Sequence, residues 1–204
     1  MFDVTHDGPV TTLTLQRPEK ANALTYDMMS GMAEAIERLE TAQVLILTGA
    51  GKAFSAGMDL DAAREGLATS PVWERLSAAI VAFPGLSIAA LNGTVAGGSM
   101  GMVLACDLRI AVPQAKFFYP VMKLGFLPQP SDPARLAALV GPARAKLLLM
   151  AGQKITAEQA QAYGLVDEVV ADGDVIARAR ALGEDAAGAT PRHALAIKAM
   201  CTPQ

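Results

Sequence analysis

From Leu76 to Cys106 the chain carries no charged residue, yet Pro84, Gly85, Asn92, Gly93, Gly97 and Gly98 interrupt that stretch. A membrane-spanning helix needs about 20 continuous, predominantly apolar residues. The interruptions leave only short pieces, so no transmembrane helix and no membrane partner is expected. They predict a buried strand over 87–91 and a buried helix over 99–106, inside the protein or at a subunit interface. With 204 residues, 52% of them apolar, the chain is long enough to bury a substantial core as one domain over 1–204.

The flanking segments alternate between strand and helix patterns. Val10–Leu15 reads as the second arm of a hairpin that turns near Asp7-Gly8. Thr25 is placed to cap a helix whose apolar side is Met28, Met29, Met32, Ile36 and Leu39. Residues 44–48 form a continuously apolar strand, followed by a glycine-bearing loop, and residues 73–82 read as a helix. A strand is expected over 108–112. Beyond it, Asp132-Pro133 reads as N-cap and first helical residue, with Gly141 as the stop. Pro142 starts another helix, Thr156 and Gln159 form a capping-box pattern, residues 166–170 read as a strand, and 175–187 as one helix. This alternation defines an α/β fold class.

The formal net charge of −3 provides no general basic field, so nucleic acid is not an expected partner. Cys106 and Cys201 give neither a metal-ligand spacing nor a disulfide framework, and no metal is expected. The opening MFDVTHDGP has no basic region followed by an apolar run, so no signal peptide is read and a cytoplasmic location is expected.

Two glycine-containing loops carry the chemistry. Ala53-Phe54-Ser55-Ala56-Gly57-Met58-Asp59-Leu60 follows one buried strand, and the segment from Asn92 to Gly101 joins another to the buried helix. Small residues let a ligand approach the main chain closely, and N–H groups at a helix start point outward with the favourable end of the helix dipole. One donor from each loop, converging on a single oxygen, would make an oxyanion hole. Equally, both loops read as tight turns where only glycine fits.

Several segments, in order, resemble the enoyl-CoA hydratase/isomerase (crotonase) superfamily. They are Arg17-Pro18 with Lys20-Ala21-Asn22-Ala23-Leu24, then AFSAGMDL, then NGTVAGGSMGMVLACDLRIA, then Ala115-Lys116-Phe117, Gly125 to Pro128, and ITAEQAQAYGLVDEVV. The resemblance implies a crotonase-like spiral of ββα repeats with a helical C-terminal part, assembled as a homo-oligomer, a trimer or a hexamer. It implies that the backbone N–H groups of Met58 and Gly98 form the oxyanion hole, and that an acyl-CoA thioester runs past Ala21, Ala23, Ala56, Asp59 and Leu60. Coenzyme A would enter as part of the substrate, with no separate cofactor.

Departures from the family pattern are as informative. Its hydratases carry one catalytic glutamate three residues after the oxyanion glycine, where this chain has Gly101, and another directly after the AKF-x-x-P proline, where it has Val121. Adding water to an enoyl double bond needs one group to activate the water and one to deliver a proton. Glycine and valine do neither, so isomerase- or lyase-type chemistry on a thioester enolate is expected in place of hydration. Gln129 falls where some relatives place a single carboxylate, but an amide can only orient a group or a water. Asp132 is titratable and near, and reads either as the acid/base or as a helix cap. Tyr119 and Ser99 are further candidates, and Lys123 reads as a surface charge. The C-terminal helices that relatives use to cover the site are expected to be truncated here, since the sequence ends at Gln204.

Two other functions compete. One is a non-catalytic acyl-CoA-binding or scaffold protein, suggested by the two replaced glutamates. The other is a serine hydrolase, because Gly97-Gly98-Ser99-Met100-Gly101 fits G-x-S-x-G, with Asp132 or Asp167 and then His193 following in order. A nucleophile elbow sits directly after a strand, however, and Asn92 to Ala96 intervenes here.

Overall fold

The computed structural model describes residues 1–171 and 174–201; Gln204, where the sequence ends, lies outside them. A hairpin of β1 (Phe2–Asp7) and β2 (Val10–Leu15) leads to α1 (Tyr26–Glu37), β3 (Val44–Gly49) and β4 (Ala53–Ser55). Next come α2 (Leu60–Arg64), α3 (Val72–Ala82), β5 (Leu86–Leu91), β6 (Thr94–Ala96), a 3₁₀ turn over Gly97–Ser99, and α4 (Met100–Ala105). The chain continues through β7 (Leu108–Ala111), β8 (Lys116–Phe118), α5 (Val121–Leu124), α6 (Asp132–Val140), α7 (Pro142–Leu149) and β9 (Ile155–Thr156). It finishes with α8 (Ala157–Tyr163), β10 (Glu168–Val169), α9 (Val175–Leu182), α10 (Glu184–Gly188) and α11 (Pro191–Cys201).

Successive ββ pairs feed two sheets, and this builds the spiral. β3, β5 and β7 join a six-stranded sheet of order β1-β2-β3-β5-β7-β10, while β4, β6 and β8 join a four-stranded sheet of order β4-β6-β8-β9. From β2 onward the larger sheet is parallel, and in the smaller only β9 runs antiparallel. Parallel strands covered on both faces need continuous apolar runs, and all six residues of β3 are buried. On one face Leu13, Leu15 and Leu47 meet Met32, Leu76 and Met102 from α1, α3 and α4. On the other, α9 packs over β3, β5 and β7. All six residues of α4 are buried, which accounts for the missing charges. Among the described residues no helix is long and apolar enough to cross a membrane.

Two asparagines hold the corner between β3 and β4. Asn22 Nδ2 donates to the carbonyls of Ala50 (2.9 Å) and Ala53 (2.8 Å), and Asn92 Nδ2 donates to that of Gly51 (2.9 Å). Asn92 Oδ1 accepts the Gly49 N–H at 3.1 Å. An amide can donate and accept at once, so each joins chain segments that have no ladder partner there.

Thr25 caps α1 and Thr156 with Gln159 closes a capping box on α8, both as expected. Two expectations need correction. The helix over 175–187 is interrupted at Gly183, the C-cap of α9 and N-cap of α10, where a Cβ would lie 2.9 Å from Val44 Cγ1, so the chain passes too close to β3 there for a side chain. The N-cap of α6 is Ser131, not Asp132, and Asp132 is the first helical residue. The three-residue strands β4, β6 and β8 and the two-residue β9 are too short to show a sequence period.

Candidate functional site

The first loop is braced from below. Arg17 Nη1 lies 2.7 Å from Asp59 Oδ2 and donates to the Ala23 carbonyl at 3.0 Å, while the Arg17 N–H donates to Asn22 Oδ1 at 2.9 Å. Ala21 and Asn22 adopt left-handed φ values of 48° and 54°, carrying the chain over this brace. Asp59 also accepts the Asp61 and Ala62 N–H groups, capping α2. The Arg17 guanidinium, with those N–H donors, holds its carboxyl below the usual carboxylate range. Leu24 then pairs with Met58: its N–H donates to the Gly57 carbonyl at 2.7 Å, and its carbonyl accepts from Asp59 N–H at 2.9 Å. In a parallel bridge of this kind Met58's own N–H points to the opposite side.

The second loop leaves β6 at Ala96 and enters the 3₁₀ turn, with Gly98 as its middle residue. N–H groups at a helix start have no intrahelical partner. The two loops touch through Gly57. Its φ is +90°, and a Cβ there would lie 2.5 Å from the Ala96 carbonyl oxygen. Gly57→Ala combines a left-handed φ with a backbone clash. It is expected to cost roughly 2–4 kcal/mol of stability in urea unfolding and to force the loops apart.

Between the loops lies a mostly apolar pocket of about 160 Å³. Ala56, Met58 and Leu60 line it from the first loop, Ala96, Gly97 and Gly98 from the second. Phe118, Tyr119, Pro120 and Val121 form another wall, with Leu124, Phe126, Leu127 and Gln129 completing it. Ala68 and Trp73 complete the lining: a Cβ at Gly98 would fall 2.8 Å from the Trp73 ring, and Trp73 Nε1 donates to the Leu67 carbonyl at 2.8 Å. Of the residues singled out from the sequence, Ala56, Met58, Leu60, Gly98, Tyr119 and Gln129 reach this pocket, and Ala21, Ala23, Asp59, Ser99 and Asp132 do not. Ala23 and Asp59 are buried and belong to the brace. Trp73 and Phe118 carried no sequence signal; only the folded chain brings them here.

Asp132 is buried behind the wall. Its Oδ2 accepts from the Tyr119 hydroxyl at 2.9 Å, and the phenol oxygen accepts from the Gln129 N–H at 3.4 Å. Oδ1 has no partner. The carboxylate caps nothing, because it turns inward toward Gly101, where a Cβ would lie 3.0 Å from Oδ1 and 3.3 Å from Oδ2. Burial pushes its pKa up to about 6; the Tyr119 hydrogen bond opposes this, Glu74 adds to it, and Arg135 opposes it. Burial, followed by the Asp132 charge, likewise raises the Tyr119 phenol above its ordinary value.

The hydrolase arrangement does not assemble. The Ser99 hydroxyl is fully buried and donates to the Ala96 carbonyl at 2.7 Å. His193 lines a different cavity, of about 620 Å³, beside Lys198 on α11, and Asp167 accepts from the Arg109 N–H at 2.7 Å. Ser99 therefore ties the start of α4 to the end of β6.

The family described as enoyl-CoA hydratase/isomerase matches residues 5–204. A carnitinyl-CoA dehydratase of Salmonella typhi is 34% identical, with 96% of this chain and 77% of that protein covered. Among solved structures, DspI of Pseudomonas aeruginosa is 34% identical with a TM-score of 0.90, over 98% of this chain and 85% of that one. An enoyl-CoA hydratase/carnithine racemase from Magnetospirillum magneticum is 30% identical, also at a TM-score of 0.90, over 98% and 79%. This chain belongs to the enoyl-CoA hydratase/isomerase, or crotonase, family and has its fold.

Proposed function

We propose that the protein binds acyl-CoA thioesters and stabilises a thioester enolate between the N–H groups of Met58 and Gly98, in an isomerase- or lyase-type reaction. The observation that carries this reading is the contact of the two loops through Gly57 and Ala96 at the pocket: Met58, directly after Gly57, has an N–H that the bridge to Leu24 does not use, and Gly98, two residues after Ala96, lies in the first turn of a helix, where N–H groups have no intrahelical partner. Donors fixed before reaction stabilise developing charge more than ground-state charge. A carboxylate at neither Gly101 nor Val121 argues against hydration. Coenzyme A arrives with the substrate. Leu60, Leu124, Phe126 and Leu127 are exposed apolar side chains lining the pocket, which supports a homo-oligomer; family likeness favours a trimer or hexamer, and the cytoplasm is the proposed location. Light scattering that finds a monomer at micromolar concentration would count against that assembly.

The test is a panel of acyl-CoAs scored separately for retained ligand and turnover by mass spectrometry. Thermal stabilisation is expected with CoA thioesters and little with matching oxygen esters. Crotonyl-CoA hydration should fall about 10²–10⁴-fold below that of a two-glutamate enzyme. Gly98→Ala and Gly98→Pro both crowd Trp73, but only the proline removes the N–H. Turnover lost about 10²–10³-fold further in the proline variant is expected. Equal activity in the two variants, or crotonyl-CoA hydration at an ordinary enzyme rate, refutes the reading. Binding with no turnover across the panel favours the non-catalytic acyl-CoA-binding alternative.

A further inference from the structure

We propose that Tyr119 is the residue that exchanges a proton with the bound acyl group, and that Asp132 acts only through it as the proton store. This rests on the thioester reading above. Among the described residues Asp132 is the one carboxyl group hydrogen-bonded to a pocket-lining side chain, yet it is only 1% exposed and lines no part of the pocket itself. Tyr119 does line the pocket, and so does Gln129, whose backbone N–H meets the phenol oxygen. The hydroxyl is thus held by one donor and one acceptor, on a side chain that lines the pocket although only 3% exposed, and it links that side chain to the carboxylate behind it.

The transfer balances without any further reactant. As the C–H bond beside the thioester carbonyl breaks, its proton passes to the Tyr119 oxygen and Tyr119's own proton passes to Asp132 Oδ2. The electron pair moves onto the thioester oxygen as the enolate. The reverse shift returns a proton to the same carbon or, in an isomerisation, to another. Tyr119 is neutral before and after, so its raised pKa is no obstacle. Asp132 Oδ1 has no donor to stabilise the anion, and this makes the carboxylate a better proton acceptor than an ordinary surface aspartate. The charged and titratable groups facing it are Tyr119 after β8, Glu74 from α3 and Arg135 on α6. Position 101, on α4, contributes no side chain.

The experiment follows deuterium exchange into the α-carbon of butyryl-CoA in D₂O by mass spectrometry, from pH 5 to 8. Cinnamoyl-CoA absorbance serves as a separate reporter of carbonyl polarisation. In the wild-type protein exchange is expected to rise as pH passes through about 6, where Asp132 loses its proton, and then level off. Tyr119→Phe and Asp132→Asn should each lose about 10²–10⁴-fold of the exchange while keeping the red shift of bound cinnamoyl-CoA. Exchange at the wild-type rate in either variant overturns the relay. So does a wild-type rate that is flat across pH 5–8, a result that needs no variant to fold. A normal cinnamoyl-CoA shift without wild-type exchange overturns the relay alone. Absence of both shift and exchange overturns the thioester reading, and the relay with it.

Discussion

Asp132→Asn is expected to make the protein more stable at pH 8 and to leave its stability unchanged at pH 4. The folded-state pKa of about 6 stands above the ordinary value of 3.8, so the folded chain binds this proton more tightly than the unfolded one. The stability that goes with it is fully present below about pH 3.8 and is lost as pH rises through about 6. At pH 8 the folded protein therefore holds a desolvated charge, supported by one hydrogen bond and with one oxygen unpaired. The gap between 3.8 and about 6 corresponds to roughly 3 kcal/mol. Asparagine keeps the shape and a partner for Tyr119 and removes the charge. For a chain of this size the gain is about 6–12 °C in Tm at pH 8, measured by thermal unfolding at both pH values. A variant less stable than wild type at pH 8 would show that Asp132 is a structural tie, and one equally stabilised at pH 4 would show that its charge is not the cause. A destabilising charge kept directly behind a pocket wall is what a functional role predicts.

Much of the frame was legible because it is written in local patterns. The uncharged run became β5, β6 and α4, and the apolar 44–48 run became the fully buried β3. Thr25, Thr156 and Gln159 cap where their types and spacing say they should. The two glycine loops were equally plain, since Gly57 and Gly98 leave no space for a side chain against Ala96 and Trp73.

What the sequence hid depends on pairs far apart in the chain. Asp132 before a proline has the local look of a cap, and only folding shows that the room left at Gly101 draws its carboxylate inward. Arg17, Asn22 and Asp59 stood out as a likeness to a binding segment. Physically they form a buried brace: Arg17 joins Asp59 to the Ala23 carbonyl and thereby sets the position of Met58. The glycine at 183, where the helix is interrupted, likewise answers to Val44 across the core, a contact that local propensity does not reveal.

Gly101→Glu, which would restore one hydratase glutamate, is expected to destabilise the protein by more than about 4 kcal/mol and to restore no hydration. The first atom of the new side chain would lie 3.0 and 3.3 Å from the two Asp132 oxygens, on a helix with every residue buried. A second carboxylate would then share a dry site with the first, where like charges and desolvation act in the same direction. Position 101 and Asp132 draw on one volume, so the glycine and the inward aspartate form a matched pair. Removing the aspartate should relieve the glutamate. Gly101→Glu with Asp132→Ala is expected to be at least about 2 kcal/mol more stable than Gly101→Glu alone, although Asp132→Ala opens a cavity of its own. Urea unfolding of the wild type, both single variants and the double variant measures this coupling. Additive effects would mean that the two positions do not compete, and that the missing glutamate has a different physical cause. Hydration should stay absent even in the rescued protein, because Val121 still leaves the reaction without its second proton carrier.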